Sequence, residues 1–287
     1  MQQFKHTFRS YLSLRITDNN FPFEVTMRAA FLIFLSSFVL GAGAQTRLDP
    51  DFARPPDDSL PLTKKHPVIK PATIAAGYVA ITCLAYRYGD EEVEEFSQAN
   101  QNKVVYSGFQ TVGYLGLGNA SIAITVGTGI TAMVTQNERL KKATLLLIGG
   151  HLINDVVTNE LKVSFQRHRP NTGDPYNTFD WREGSKANES FASSHTSNAF
   201  TTATVFALCF PNKKWVPIAA YSTASLVGLS RIYQNAHWTS DVLVGAAVGF
   251  LSAHAMNKLY NLAGKRLTFL PDVENSHFGA AVVYTLK

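Results

Sequence analysis

Three polar clusters stand in order within an otherwise apolar, helix-patterned chain: Lys162 with Arg169-Pro170, then Ser193-Ser194-His195, then Ser230-Arg231 with His237 and Asp241. They supply three cations, two histidines, a carboxylate and a small-residue turn. That set suits metal-free displacement at phosphorus by a covalent histidine. Arg169 brings a planar fork for two phosphate oxygens and Lys162 a compact point charge, with Arg231 as the third cation. Lys162 and Arg169 are seven residues apart, two helical turns, which predicts that both project from one face of a helix ending before Pro170. The turn from Ser190 to Thr196 would aim backbone N–H groups at an anion, with a hydroxyl from Ser193 and a proton for the departing alkoxide from His195. His237 and Asp241 stand at i and i+4, so Asp241 is expected to accept the Nδ1 proton of His237 and leave Nε2 free to attack phosphorus.

Each cluster alone has a plainer reading. Cations near a helix C-terminus complement the macrodipole, serine-rich turns cap helices, and His/Asp pairs at helical spacing are commonly structural. Their occurrence together and in order points to phosphate.

Over residues 162–249 the chain resembles the type 2 phosphatidic acid phosphatases, which are similar to bacterial class A acid phosphatases and vanadium haloperoxidases. The first motif of that family, Lys and six residues before Arg-Pro, is met by Lys162, Arg169 and Pro170, and the third is met in full by Ser230, Arg231, His237 and Asp241. The second, Pro-Ser-Gly-His, is met in part by Ala192-Ser193-Ser194-His195. The resemblance implies a helical-bundle phosphatase that forms a phosphohistidine at His237 and uses His195 as acid. Catalytic roles then fall to His237, His195 and Asp241, and phosphate binding to Lys162, Arg169, Ser193, Ser194 and Arg231, with no metal and no cofactor. Glycine at 194 would approach phosphate without a Cβ and adopt positive φ freely, so Ser194 must manage both. Ala192 in place of proline loosens the turn.

The 287 residues, 46% hydrophobic, suffice for one large core, and an all-α bundle of about six helices is expected. Helical patterns run over 71–87, 105–135, 142–168, 195–210, 214–232 and 238–262. Two β-favouring runs, 267–270 and 279–286, flank Pro271 and Asp272 and suggest a small terminal hairpin. Residues 27–44 read as a secretory signal with cleavage after Ala44, preceded by a possible non-native extension (1–26) and followed by a proline-rich linker (45–70). A catalytic domain follows over 71–264, then a tail over 265–287. Export to the periplasm or cell envelope follows, with membrane-associated and integral-membrane states as the alternatives. Most apolar runs are about 15 residues, short of a bilayer crossing, and only 111–134 is long enough. A globule resting on a membrane is therefore favoured over a six-span protein.

The net charge of +5 comes from scattered basic residues, not a basic run with aromatics, which argues against nucleic acid and for an anionic substrate or surface. Cys83 and Cys209 read as buried free thiols. The acidic run of Asp90, Glu91, Glu92, Glu94 and Glu95 reads as a solvated helix face. His151 and Asp155 share a stripe with Lys162, read as polar packing between helices. Asp241, Gly245, Gly249 and Ala253 form a small-residue stripe for a neighbouring helix, and Tyr176, Phe179 and Trp181 could touch the leaving portion of a substrate.

The expected activity is hydrolysis of a phosphomonoester or diphosphate, and the apolar bundle tilts the substrate toward a phosphorylated lipid such as phosphatidate, a polyprenyl diphosphate or a lipid A phosphate. The rival readings are a vanadate-dependent haloperoxidase and a non-catalytic phosphate-binding or membrane-scaffold protein.

Overall fold

The computed structural model describes residues 71–182, 188–263, 267–274 and 277–284, the last two spans as backbone. The expected extension, leader and proline-rich linker (1–26, 27–44 and 45–70) lie outside the described residues. Helix α1 (Pro71–Leu84) passes through a π turn (Ala85–Gly89) into α2 (Asp90–Ala99). Then come α3 (Lys103–Gly113), a 3-10 turn (Tyr114–Gly116), α4 (Gly118–Thr135), α5 (Glu138–Phe165), α6 (Ser194–Cys209), α7 (Trp215–Tyr233) and α8 (Thr239–Ala263).

The bundle is all-α as expected, but more finely divided. The pattern over 105–135 is two helices at 58°, because Leu117 takes an extended ψ of 148° among Gly113, Gly116 and Gly118. Asparagine side chains start two helices: Asn102 accepts from the N–H groups of Val104 and Val105, and Asn137 from those of Arg139 and Leu140. Helix α5 stops at Phe165 because Gln166 is left-handed (φ 42°) and returns its N–H to the Lys162 carbonyl at 2.9 Å. Arg169 therefore lies beyond the helix, and the expected shared face with Lys162 does not exist.

Helix α6 packs against α5, α7 and α8 and buries Phe200 and Val205, while Leu146 and Leu147 fill the space under α5. The stripe Gly245, Gly249, Ala253 is the face of α8 that meets α6. A Cβ at Gly245 would stand 2.6 Å from the Ser193 carbonyl oxygen, and one at Gly249 would collide with that of Ser197. Backbone contact of this kind brings the start of α6 beside the start of α8, where the Ser193 N–H donates to the Asp241 carbonyl at 3.2 Å. The second and third clusters thus meet at one end of the bundle.

Two surface expectations are corrected. Asp90, read as part of a solvated face, is 1% exposed, because its carboxylate meets a buried guanidinium, while Glu91, Glu92 and Glu95 face outward. Cys209 is buried, but Cys83 is exposed on the outer side of α1; both are free thiols. At the C-terminus, β1 (Leu267–Glu274) and β2 (His277–Tyr284) pair antiparallel from Leu267 with Tyr284 to Glu274 with His277. Pro271 and Asp272 belong to β1 instead of separating the strands, which a two-stranded ribbon permits since each strand keeps a free edge.

Candidate active site

Lys162 ends α5 and Arg169 follows in the next loop, yet the two cations converge on one acceptor. The Glu189 carbonyl oxygen accepts from Lys162 Nζ at 2.6 Å and from Arg169 Nη2 at 3.2 Å. Arg169 Nη1 also donates to the Ala236 carbonyl, beside His237. Arg231 ends α7 and lies against Gly113, where a Cβ would strike its guanidinium. It donates to Ser230 Oγ and Gln234 Oε1. Gly116, on the turn after α3, similarly admits His195, whose carbonyl oxygen and Cβ would both be within 3 Å of an added methyl. The segment from Gly113 to Gly116 is therefore a wall of the site.

Ser193 is the N-cap of α6, and Ser194 is its first helical residue with no left-handed backbone. The freedom that glycine would bring at 194 is not used, so the departure from the second motif leaves the turn intact. The first helical bond runs from the Ser197 N–H to the Ser193 carbonyl at 3.0 Å, so the N–H groups of Ser194, His195 and Thr196 have no partner inside the helix. Ser193 is buried and its hydroxyl accepts from Thr196 Oγ1 at 3.0 Å, whereas Ser194 and His195 are half-buried.

His237 is not on the helix with Asp241; it lies two residues before α8. Its Nδ1 is 3.8 Å from Asp241 Oδ2, too long for a hydrogen bond, but 2.8 Å from the Ser190 carbonyl oxygen. A carbonyl can only accept, so Nδ1 carries the proton and Nε2 is free. The expected tautomer is thus imposed by a different acceptor. Asp241 is fully buried and takes donors from Ser190 Oγ (2.6 Å), the Trp238 N–H (3.0 Å) and Arg167 Nη1 (2.6 Å). It is the clamp that holds the chain on both sides of His237.

The charges act on one another. Burial, with help from Lys162 and Arg169, pushes His237 down to about 3, against the pull of Asp241. His195 is lowered to about 4 by burial and then by Arg231, Lys162 and Arg169. Lys162 drops to about 8 through burial and the neighbouring Arg169. Half-buried cations gathered in this way favour an anion between them, and a phosphate dianion supplies two charges. No His, Cys, Asp or Glu cluster suited to a metal occurs among the described residues.

The sequence profile of the PAP2 superfamily matches residues 143–265, which contain all three clusters. Over those residues the chain is similar to the PAP2 superfamily. The lipid A 1-phosphatase of Porphyromonas gingivalis is 42% identical over 108 residues, 37% of this chain and 20% of the relative. The lipid A 4'-phosphatase of the same organism is 30% identical over 134 residues, 44% of this chain and 56% of the relative. The lipid A 1-phosphatase of Rhizobium etli is 28% identical over 151 residues, 50% and 64%. The matched stretch thus spans less than two thirds of each of these relatives. The crystal structure of a transmembrane PAP2-type phosphatidylglycerolphosphate phosphatase from Bacillus subtilis superposes with a TM-score of 0.51 at 21% identity, covering 69% of this chain and 98% of that one. That likeness supports the PAP2 fold.

Beside the PAP2 motif residues, three groups at this site had no role assigned from sequence: Ser190, Arg167 and Asp90. Arg167 lies between Lys162 and Arg169, so its place in the first cluster was the available signal. Nothing in the acidic run marked Asp90. The aromatic residues proposed as substrate contacts gather around Arg167: the Tyr176 carbonyl accepts from it, the Phe179 ring packs on its guanidinium, and Trp181 stacks on Phe179. His151 meets Thr202 Oγ1 at 3.2 Å between α5 and α6, the polar packing expected, and Asp155 is exposed.

Proposed function

We propose that the chain hydrolyses phosphate esters of lipids through a phosphohistidine at His237. The observation that carries this reading is the hydrogen bond from His237 Nδ1 to the Ser190 carbonyl, which leaves Nε2 unprotonated within the field of Lys162 and Arg169. In the first step Nε2 forms a bond to phosphorus as the ester P–O bond breaks, and His195 protonates the leaving alkoxide. Lys162, Arg169, Arg231 and the first N–H groups of α6 neutralise the equatorial oxygens, with Ser193 and Ser194 shaping that turn. In the second step His195 takes a proton from water, the hydroxide attacks phosphorus, and the P–N bond breaks to free His237 and phosphate. Cations of the chain supply the charge stabilisation, so the step needs no metal.

A lipid substrate is favoured by a groove of about 500 Å³ along the seam of α6 and α7. Ala199, Ala203, Phe206, Ala220 and Val227 are among the residues that line it. It begins one turn after His195 and one turn before Arg231 and is almost wholly apolar, which suits an acyl chain whose headgroup occupies the cation cluster. Helix α4 exposes Ile122, Val126, Ile130 and Val134 on its outer face. Its Thr125, Thr128, Thr131 and Thr135 hydroxyls all donate to carbonyls one turn back, so they need no water. Such a surface fits contact with lipid. Among the described residues, Thr239–Ala263 is long and apolar enough to cross a membrane, and the bent pair of α3 and α4 passes the same test together.

The deciding experiment compares release of phosphate from a micellar lipid phosphate and from p-nitrophenyl phosphate, in chelator, with detection of the acid-labile phosphohistidine after an alkaline denaturing quench. Activity on the lipid with label at His237 is expected. Strict dependence on added magnesium, or label on another residue, would refute the mechanism. Export by cleavage after Ala44 belongs to the same proposal and is checked by N-terminal sequencing of the mature protein.

A further inference from the structure

Arg167 is none of the motif residues, yet it heads the largest fully buried side chains among the described residues, at 1% exposure. Its donors are all engaged. Nε and Nη2 reach the Tyr176 carbonyl at 2.8 and 2.7 Å, Nη1 reaches Ser240 Oγ at 2.8 Å and Asp241 Oδ1 at 2.6 Å, and Nη2 reaches Asp90 Oδ2 at 2.7 Å. The rings of Tyr86, Phe179 and Trp238 enclose it at 5.2 to 5.6 Å. Asp90, from α2, accepts the Ser240 N–H at 2.8 Å and the Ser240 hydroxyl at 2.6 Å. A carboxylate from one helix thus caps the first turn of another, the helix that starts two residues after His237.

The bonds form one chain: Asp90 to Arg167, Arg167 to Asp241, Asp241 to the Ser190 hydroxyl, and the Ser190 carbonyl to His237. Burying two carboxylates and a guanidinium contributes little to net stability, since apolar side chains of similar volume pack as well without desolvating charge. What the network does supply is direction, because a planar fork with every donor occupied cannot rotate. Asp90 also lies outside residues 143–265, so the motif-bearing segment does not contain the whole of its own support.

Taking His237 as the nucleophile, as proposed above, we propose that Arg167 and Asp90 are positioning residues that lock Asp241 and the start of α8 so that Nε2 faces the phosphate cavity. Neither touches substrate. Their loss acts on the rate of the chemical step and spares phosphate affinity.

The test uses the full chain carrying Asp90→Asn, Arg167→Lys, or both, with p-nitrophenyl phosphate turnover, orthovanadate inhibition and thermal melting measured on each. Each single variant is expected to lower kcat by about tenfold to a hundredfold, the scale of a displaced reacting group. Vanadate affinity stays within about twofold, and the double variant is no worse than Arg167→Lys alone, because the residues act as one unit. Asn at 90 keeps an oxygen that can accept from Arg167, so that variant remains informative if Arg167→Lys does not fold. Unchanged kcat in folded Asp90→Asn, a loss confined to vanadate affinity, or independent effects that multiply would overturn the positioning role. A wild-type chain that releases no phosphate overturns the phosphatase reading itself, and the positioning role with it.

Discussion

Gly245→Ala tests how closely the two halves of the site must meet. The added methyl would stand 2.6 Å from the Ser193 carbonyl oxygen and 3.3 Å from Thr196 Cβ. The first partner is backbone at the N-cap of α6 and cannot swing aside, so α6 and α8 must part by about 0.8 Å to reach an ordinary 3.4 Å contact. Overpacking of this kind costs about 1–3 kcal/mol, and for a chain this size each kcal/mol lowers the melting temperature by roughly 2–4 °C. His195 rides on α6 and His237 on the chain entering α8, so the same displacement separates the proposed acid from the proposed nucleophile. Since misplacement by about 1 Å can cost 10²-fold, kcat is expected to fall about tenfold to a hundredfold. The control is Gly127→Ala on α4, where no atom lies within 4 Å; there the better helix former adds up to about 1 kcal/mol and leaves kcat alone. The assay is p-nitrophenyl phosphate turnover with a melting curve on each protein. A Gly245→Ala protein that melts and turns over like the wild type would refute the close-contact reasoning.

Replacing the acid separates the two half-reactions. His195→Ala should lose about 10²- to 10⁴-fold on alkyl phosphates, whose leaving groups need a proton, yet still label His237 from p-nitrophenyl phosphate. His237→Ala should abolish label and turnover together, as seen by mass spectrometry of quenched protein. The pH profile carries a signed expectation. His195 must be protonated to act as acid, and Arg231 is the largest charge holding it down to about 4. Arg231→Gln should therefore raise that value and move the alkaline limb of kcat/KM to higher pH, whatever happens to the absolute rate; a limb that moves to lower pH contradicts the assignment. Filling the groove with Ala220→Phe should depress activity on a long-chain lipid phosphate and spare p-nitrophenyl phosphate, whereas Ile218→Phe, an exposed α7 residue outside the groove lining, should change neither.

The motif residues were legible because they sit at helix ends, where a polar side chain interrupts an apolar pattern. The stripe of Gly245, Gly249 and Ala253 was legible for a similar reason: small residues at helical spacing announce a close neighbour, though not that the neighbour is α6. Other features left no local trace. The left-handed Gln166 separates Arg169 from α5, so two turns of helical spacing misplaced a side chain that nonetheless reaches the same carbonyl as Lys162. Asp90 looked like its acidic neighbours, and what buries it is a guanidinium 77 positions away. The acceptor for His237 was mistaken for a carboxylate because a backbone carbonyl has no letter in the sequence.

That carbonyl has an evolutionary consequence. Every amino acid carries one, so no single exchange at position 190 can delete the group that holds the Nδ1 proton of His237. Drift at 190 or 241 would erode speed by degrees while the chemistry survives. Apart from loss of His237 itself, a rerouted chain between the first two motifs, by insertion or deletion near 190, would remove that acceptor outright, and this is where relatives lacking the proposed activity should be sought.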